Sequence, residues 1–478
     1  MRVPILIDRT APAPIHRQIY DEWRQAVLSG RLRPGERVPS TRELAVALTV
    51  SRATVTAAYD QLTAEGYLLP VQGSGTFVCA ELPDDLLRPG GTPRPRRDEQ
   101  PAVRVSAYGS RLRADFWRSD DEPGVIDLSR GGPDLGHFPV GLWRRVVARH
   151  LRFATSAGFD YGRQVSGYEP LRREVASYLA RSRAVRCSPE QVIVVNGSQQ
   201  ALDLTARVLL DVGDEVAIEN PGYTGARHLF AAHGARLAPV RVTASGIAVE
   251  DLKPSTRLVY LTPSHQFPTG VSLPLARRLD LVEWARPHGA VIVEDDYDSE
   301  YRYAGAPLPS LQSLADGVPV VYVGTFSNVM FPGLRVGYVV VPPDLVAPFT
   351  RAKWLSDRQT PVLEQAALAD FLLEGHLERH IRRMRRLYKR RYDVLIEALA
   401  SGFGGRAAVR GDAAGMHVLV AFDRDGMVAR AARHGVRLMS SAPYYLSGAP
   451  RNEVVMGFSA VGERTIREGV KRLAMSAR

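Results

Sequence analysis

Four short apolar runs limit the fold of this chain more than any other feature of it. They are Val192-Ile193-Val194-Val195, Glu215-Val216-Ala217-Ile218, Arg257-Leu258-Val259-Tyr260-Leu261 and Ala290-Val291-Ile292-Val293. Each is rich in β-branched residues, none alternates with polar residues, and helical stretches separate them. A strand that is apolar on both faces must be covered on both, and strands separated by helices pair in parallel. From Val125 onward the expected class is therefore α/β: a mostly parallel sheet covered by helices, followed by a smaller C-terminal lobe. Ligands of such sheets sit at the carboxyl ends of the strands.

Polar clusters fall at those ends. After the first run comes Asn196-Gly197-Ser198-Gln199-Gln200, leading into ALDLTARVLL. A strand, a glycine turn and a helix start make either an anion site from free backbone amides or a plain cap. After the second comes Glu219-Asn220-Pro221-Gly222-Tyr223, whose tyrosine can stack on a flat ring or simply pack in its loop. After the third comes TPSHQFPTG, residues 262–270, where His265 reads as a solvated loop histidine. After the fourth comes Glu294-Asp295-Asp296-Tyr297, three acids clustered just beyond a strand end, which read either as a solvated acidic loop or, slightly favoured because unpartnered acids there are costly, as a functional site. Its carboxylate can pair with a protonated ring nitrogen and its tyrosine with a ring oxygen. A fifth stretch, VYVGTFSNVMFPGLRVGY from Val321 to Tyr338, sets a hydroxyl-rich turn, Gly324 to Ser327, and Arg335 between two apolar runs. Hydroxyls and a fixed guanidinium fork match an oxyanion, although a polar turn between core strands looks the same.

The first eighty residues follow a different pattern. Ile15, Ile19, Trp23 and Val27 recur every four residues, which predicts an amphipathic helix ending near Gly30. Ser40-Thr41-Arg42-Glu43 is a capping box for a second helix. Ser51 is placed to cap a third, whose Val55, Ala58, Tyr59 and Leu62 make one apolar face while Arg52, Thr54 and Thr56 lie opposite. Two strand-like runs, Tyr67 to Val71 and Thr76 to Cys79, are joined by Gln72-Gly73-Ser74-Gly75. Three helices and a hairpin predict a winged helix-turn-helix over residues 1–80, with the third helix in a major groove and the glycine-rich wing near the backbone or minor groove. A connector is expected from 81 to 123, with a possible short anchored segment from Tyr108 to Trp117. Residues 364–400 read as one long arginine-rich helix, favoured as a solvated face or dimer brace over a nucleic-acid patch.

The N-terminal segment VPSTRELAVALTVSRATVTAAYDQLTAEGYL, with GSGTFV after it, resembles the GntR-type winged helix over its whole length. From about residue 126 the chain is similar to fold-type I aminotransferases, in the form carried by MocR-type transcriptional regulators. The resemblance implies that Arg42, Ser51, Arg52, Thr54 and Gly73 touch DNA, Arg52 at a base edge and Arg42 at a phosphate. It implies a pyridoxal phosphate site in residues 124–478. There Asp295 meets the pyridine nitrogen, Tyr297 the phenolate oxygen and Tyr223 the ring face, while Ser198, Gln199, Thr325, Ser327 and Arg335 hold the phosphate. The family segment runs Gly-Thr-Phe-Ser-Lys with an arginine seven residues on. Here Asn328 stands in the lysine's place. An amide is not a nucleophile and cannot bond to the cofactor's aldehyde. VVMGFSA also lacks the arginine that these families often place there for a substrate carboxylate; Arg451 is nearby but matches poorly. The four lysines, Lys253, Lys353, Lys389 and Lys471, offer no obvious substitute for the missing amine.

The expected function is a DNA-binding transcriptional regulator whose aminotransferase-like domain senses a small effector. It would have no transaminase activity, and a vitamin B6 species would be bound non-covalently if at all. The alternative is an enzyme of unusual mechanism with a vestigial DNA-binding domain. Net charge is +11, compatible with nucleic acid, but residues 1–80 carry nine arginines against seven acids. So small an excess in one copy suggests a homodimer on a two-part operator. No run of 18 apolar residues and no signal-peptide core is present, so no membrane association is expected. Two distant cysteines, Cys79 and Cys187, suit a reducing cytoplasm. No metal is expected.

Overall fold

The computed structural model describes residues 5, 7–82, 103–113, 123–129, 131–152, 164–305 and 308–476. The chain separates into two compact units, Met1–Arg104 and Val105–Arg478. Residues 83–102 and 114–122, most of the expected connector, lie outside the described residues.

In the first unit α1 (Ile15–Leu28) buries Ile19, Trp23 and Val27, as the four-residue period requires. The two-residue strand β1 (Arg37–Val38) follows. Ser40 then caps α2 (Thr41–Leu48) through a complete capping box with Glu43. The helix stops at Thr49, whose left-handed φ of 54° turns the chain. Ser51 caps α3 (Arg52–Ala64) by accepting from the Thr54 amide at 3.1 Å. Strands β2 (Leu68–Val71) and β3 (Gly75–Val78) form the hairpin, and β1 adds to it in the order β1-β3-β2. Trp23 and Tyr59 meet edge to face at the centre of this core.

The second unit opens with α4 (Ala107–Arg111), which is anchored: Arg111 Nε donates to the Ala232 carbonyl at 3.0 Å and Tyr108 packs edge-on against His233. Strand β4 (Ile126–Asp127) and helices α5 (Val140–Arg152) and α6 (Glu169–Arg183) lead into the sheet. Its strands and helices alternate: β5 (Val192–Val195), α7 (Ser198–Leu209), β6 (Glu215–Asn220), α8 (Thr224–Ala232), β7 (Arg236–Thr243), β8 (Gly246–Ile247), β9 (Thr256–Leu261), α9 (Leu275–His288), β10 (Val291–Asp296), α10 (Leu311–Leu314), β11 (Val320–Thr325) and β12 (Gly337–Val340). The order is β5-β12-β11-β10-β9-β6-β7-β8, with β12 and β8 antiparallel to their neighbours and the rest parallel.

The absence of alternation in the four runs now has its reason. Val216, Ile218, Leu258, Tyr260, Val291 and Val293 enter one core, while Ala217, Val259, Leu261 and Ile292 enter the core on the opposite face. One expectation is corrected. Glu294, Asp295 and Asp296 are not a loop beyond the fourth run; they are the end of β10, and all six residues of that strand are buried. Partners explain how. Glu294 accepts from the Leu311 and Gln312 amides, and Asp296 from Arg183 Nε at 2.8 Å.

Helices α11 (Val346–Asp357), α12 (Val362–Leu373) and α13 (His376–Phe403) follow. The single long helix expected over 364–400 is therefore two. Gly375, at φ +67°, breaks the chain between α12, buried from Gln365 to Ala369 and at Phe371 and Leu372, and an amphipathic α13. The C-terminal lobe comprises β13 (Ala407–Arg410), β14 (His417–Phe422), α14 (Met427–Arg433), β15 (Val436–Arg437), β16 (Met439–Ser440), β17 (Glu453–Gly457) and α15 (Glu463–Ser476). Its antiparallel sheet runs β13-β14-β17-β16, and β15 pairs with β4. No described helix is long and apolar enough to cross a membrane.

Candidate functional site

The carboxyl ends of the parallel strands meet the C-terminal lobe around a cavity of about 650 Å³. All nine residues singled out from the sequence for this site line it: Ser198, Gln199, Tyr223, Asp295, Tyr297, Thr325, Ser327, Asn328 and Arg335. Strand ends supply Asp295 and Thr325, and the turn after β11 supplies Ser327 and Asn328. Ser198 and Gln199 form the first turn of α7, whose amino end carries the helix's positive pole. Arg335 has a left-handed φ of 52° and donates through Nη2 to the Asn196 carbonyl at 2.6 Å. Its guanidinium lies so close to Gly197 that a Cβ there would come within 2.8 Å. Glycine at 197 is what lets Arg335 lie across the start of α7.

Asp295 is a strongly perturbed carboxyl of the site. Tyr260 donates to its Oδ2 at 2.8 Å, but Oδ1 is buried without a hydrogen-bond partner among the described residues. Burial, opposed by the Tyr260 bond and reinforced by Asp296 and Asp298, pushes its carboxyl up to about 7. Glu219, beneath the Tyr223 turn, is also pushed to about 7 by burial, although it accepts from the Thr262 amide and hydroxyl.

Asn328 Nδ2 donates to the Tyr297 carbonyl at 2.9 Å. The Tyr297 hydroxyl donates to the His265 carbonyl at 2.9 Å and lies 3.1 Å from His265 Nδ1. His265 is not a solvated loop residue, as its sequence context suggested: it is 2% exposed and its Nδ1 lies 2.9 Å from Asp298 Oδ2. His265, Asp298 and His417 each bring one potential ligand atom within 4.8 Å of the others. Burial and the neighbouring His265 drive His417 down to about 3, so its ring is neutral.

Several lining residues carried no local signal. Gly131-Gly132-Pro133, Met416, His417 and Tyr444 reach the cavity only through the long-range closure of the lobe. Among the described residues no lysine lines it. Lys353 is buried elsewhere, bonded to Asp357 at 2.6 Å and to Thr360. Arg451 is exposed and does not line the cavity.

In the first unit, Arg42, Ser51 and Arg52 border one shallow hollow at the junction of α2 and α3. Thr54 sits on the first turn of α3, its hydroxyl 2.8 Å from that of Ser51, and Arg52 Nε approaches Thr41 Oγ1 at 3.4 Å. Gly73 occupies the hairpin tip, at φ +76° with open space around it.

Two family models match the chain: bacterial regulatory proteins of the gntR family over residues 15–78, and aminotransferase class I and II over residues 123–451. A probable rhizopine catabolism regulatory protein, MocR, of Rhizobium meliloti is 40% identical over 98% of this chain and 95% of its own length. The chain belongs to the MocR/GntR family of transcriptional regulators. A second relative in this family, the pyridoxine biosynthesis regulator PdxR of Corynebacterium glutamicum, is 32% identical over 97% of the chain and 96% of its own length. Among solved structures, the α-aminoadipate aminotransferase LysN of Thermus thermophilus matches with a TM-score of 0.70 and 31% identity. The match covers 78% of this chain and 96% of that one. The second unit of this MocR-family regulator thus has the fold-type I aminotransferase fold. Membership also places the chain among regulators, against the alternative of an enzyme with a vestigial DNA-binding domain.

Proposed function

We propose that this MocR-family protein binds an operator through its winged helix and senses a small effector in the aminotransferase-like cavity, without transaminating it. The observation that carries the reading is Asn328. By resemblance of the Gly324-to-Ser327 turn it stands where the family places its cofactor lysine, and its amide is hydrogen-bonded to the Tyr297 backbone instead of offering an amine. No lysine lines the cavity among the described residues.

The residues present fit a vitamin B6 phosphate. The unpartnered Oδ1 of Asp295 lacks the donor that a protonated ring nitrogen would bring. Arg335, Ser198, Gln199, Thr325 and Ser327 would hold the phosphate at the start of α7, where the helix pole favours an anion. Tyr223 would lie against the ring. The Tyr297 hydroxyl spends its proton on His265, so toward a ring oxygen it can donate only by releasing that bond. Pyridoxal phosphate supplies an electron sink to amino substrates when bound. Exploiting it takes a base at the substrate carbon, and a neutral amide at 328 is neither base nor nucleophile. The cofactor would therefore be held by contacts alone and would exchange freely.

Arg42, Ser51, Arg52, Thr54 and Gly73 would face the duplex, with Arg52 at a guanine edge and Arg42 on a phosphate. A homodimer in the cytoplasm, meeting a two-part operator, completes the reading. The effector acts by binding one of two arrangements of the protein better than the other.

The test is paired. Duplex from upstream of the protein's own coding sequence is titrated with and without pyridoxal phosphate, and amino donors are assayed with the same protein. Operator binding that shifts with the cofactor, together with no turnover, is the expected outcome. Turnover at an ordinary enzymatic rate, roughly 1 per second or more, contradicts it.

A further inference from the structure

Helix α13 carries a feature that neither the cavity nor the winged helix uses. From Arg379 to Arg391, eight of thirteen residues are cationic and none is acidic. Arg391 is buried against Asp134, but the other seven are exposed. Arg379, Arg382, Arg383, Arg386 and Arg390 recur at intervals of three and four, so they share one face over about 16 Å of helix. The opposite face, with Leu377, Ile381, Met384 and Tyr388, is buried.

These charges are largely uncompensated. Among the described residues only Lys389 and Arg390 find carboxylates, Asp393 at 2.7 Å and Glu463 at 3.3 Å. Arg379, Arg383 and Arg385 donate to backbone carbonyls, which leaves their charge in place. The pairs Arg379/Arg383, Arg382/Arg386 and Arg386/Arg390 stand four residues apart, a spacing at which like charges weaken a helix. A merely solvated face would interleave acids at those positions. A dimer brace fits no better, because a two-fold contact through this face would set it against its own cationic copy.

Most of the chain's net positive charge lies beyond residue 123. Residues 124–478 contain 45 Lys+Arg against 35 Asp+Glu, whereas residues 1–80 contain nine against seven. Duplex DNA presents about one negative charge per 1.7 Å of axis, and its affinity for proteins rests on the cations that displace counterions.

We propose that the Arg379–Arg390 face of α13 is a second, sequence-independent DNA surface that engages duplex phosphates while the winged helix reads bases. Arginine suits this role because its fork pairs with phosphate oxygens without reading sequence.

The test uses the full-length protein, the duplex from upstream of its own coding sequence, and a scrambled duplex of equal length. Association constants are measured against salt for wild type, R382Q/R386Q and R382K/R386K. The glutamine pair should lower the slope of log K against log salt by roughly two, one per lost phosphate contact. It should weaken both duplexes alike and leave the preference for the operator unchanged. The lysine pair should restore the slope, since the charge and not the guanidinium's packing is what matters. An unchanged slope in the glutamine pair overturns the proposal and leaves the regulator reading intact. So does a slope lost equally in the lysine pair, which would mean a structural role. Failure of the wild type to bind either duplex overturns both.

Discussion

Asn328 is tied to Tyr297 by a hydrogen bond of 2.9 Å from its amide nitrogen to the backbone carbonyl. That bond fastens the turn after β11 to the chain leaving β10. The Asn328 side chain therefore links two segments of the cavity wall.

Replacing it tests whether the rest of the site is intact. Asn328→Lys loses the link to Tyr297 and gains an amine beside the turn proposed to hold the phosphate. With added pyridoxal phosphate the variant should turn yellow and, after borohydride, carry a stable adduct on residue 328. Peptide mapping reads the position. A variant that binds no cofactor would contradict the reading of the cavity as a vitamin B6 site.

Asp295 gives a pH dependence with a definite sign. Its folded carboxyl sits near 7 against an ordinary 3.8, chiefly because it is buried. The folded state therefore keeps its proton where the unfolded chain has released it, and stability falls as pH rises from about 4 to 7. Asp295→Asn removes this dependence while retaining an acceptor for Tyr260. Thermal unfolding should show the variant gaining on wild type across that window, by up to a few kcal/mol above pH 7, with the gap level beyond. The same variant should bind vitamin B6 phosphates more weakly. Identical pH profiles for the two proteins would contradict the assignment.

Much of this was legible in the sequence, and what was missed has physical causes. Caps are local, so Ser40, Glu43 and Ser51 could be placed from spacing alone. Unalternating runs gave the covered sheet, because burial on two faces leaves no polar positions. Glu294 to Asp296 read as lying beyond the strand because three acids are costly inside a buried one. Their partners, Arg183 and the Leu311 and Gln312 amides, lie far away in sequence. His265 was misjudged for the same reason, since Asp298 and His417 come from other elements. Strand β1 is two residues long, too short for any period to register.

The winged helix offers a clean separation of stability from readout. Ser51→Ala removes the cap of α3 and should cost about 1 kcal/mol, measured by denaturant unfolding. Arg52→Ala touches no cap and should leave unfolding unchanged. Its effect should appear as about 1–3 kcal/mol of lost preference for the operator. Equal weakening on operator and scrambled duplex would reassign Arg52 to the backbone.

Gly324 tests the packing behind the turn proposed to hold the phosphate. A Cβ at 324 would collide with the Tyr338 ring, and Tyr338 is itself buried. Gly324→Ala should destabilise the second unit by about 1–3 kcal/mol and weaken phosphate binding by displacing Thr325 and Ser327. Unfolding curves and cofactor titration read the two effects.

The central claim is that this regulator holds its ligand without a covalent bond from residue 328 or any other. Intact-mass measurement of the wild-type protein, saturated with pyridoxal phosphate and treated with borohydride, tests it most directly. The account predicts the unmodified 52.6 kDa chain, from a sample whose cofactor absorbance before reduction is lost on dialysis. A stoichiometric pyridoxyl adduct on Lys353 or any other residue would contradict it.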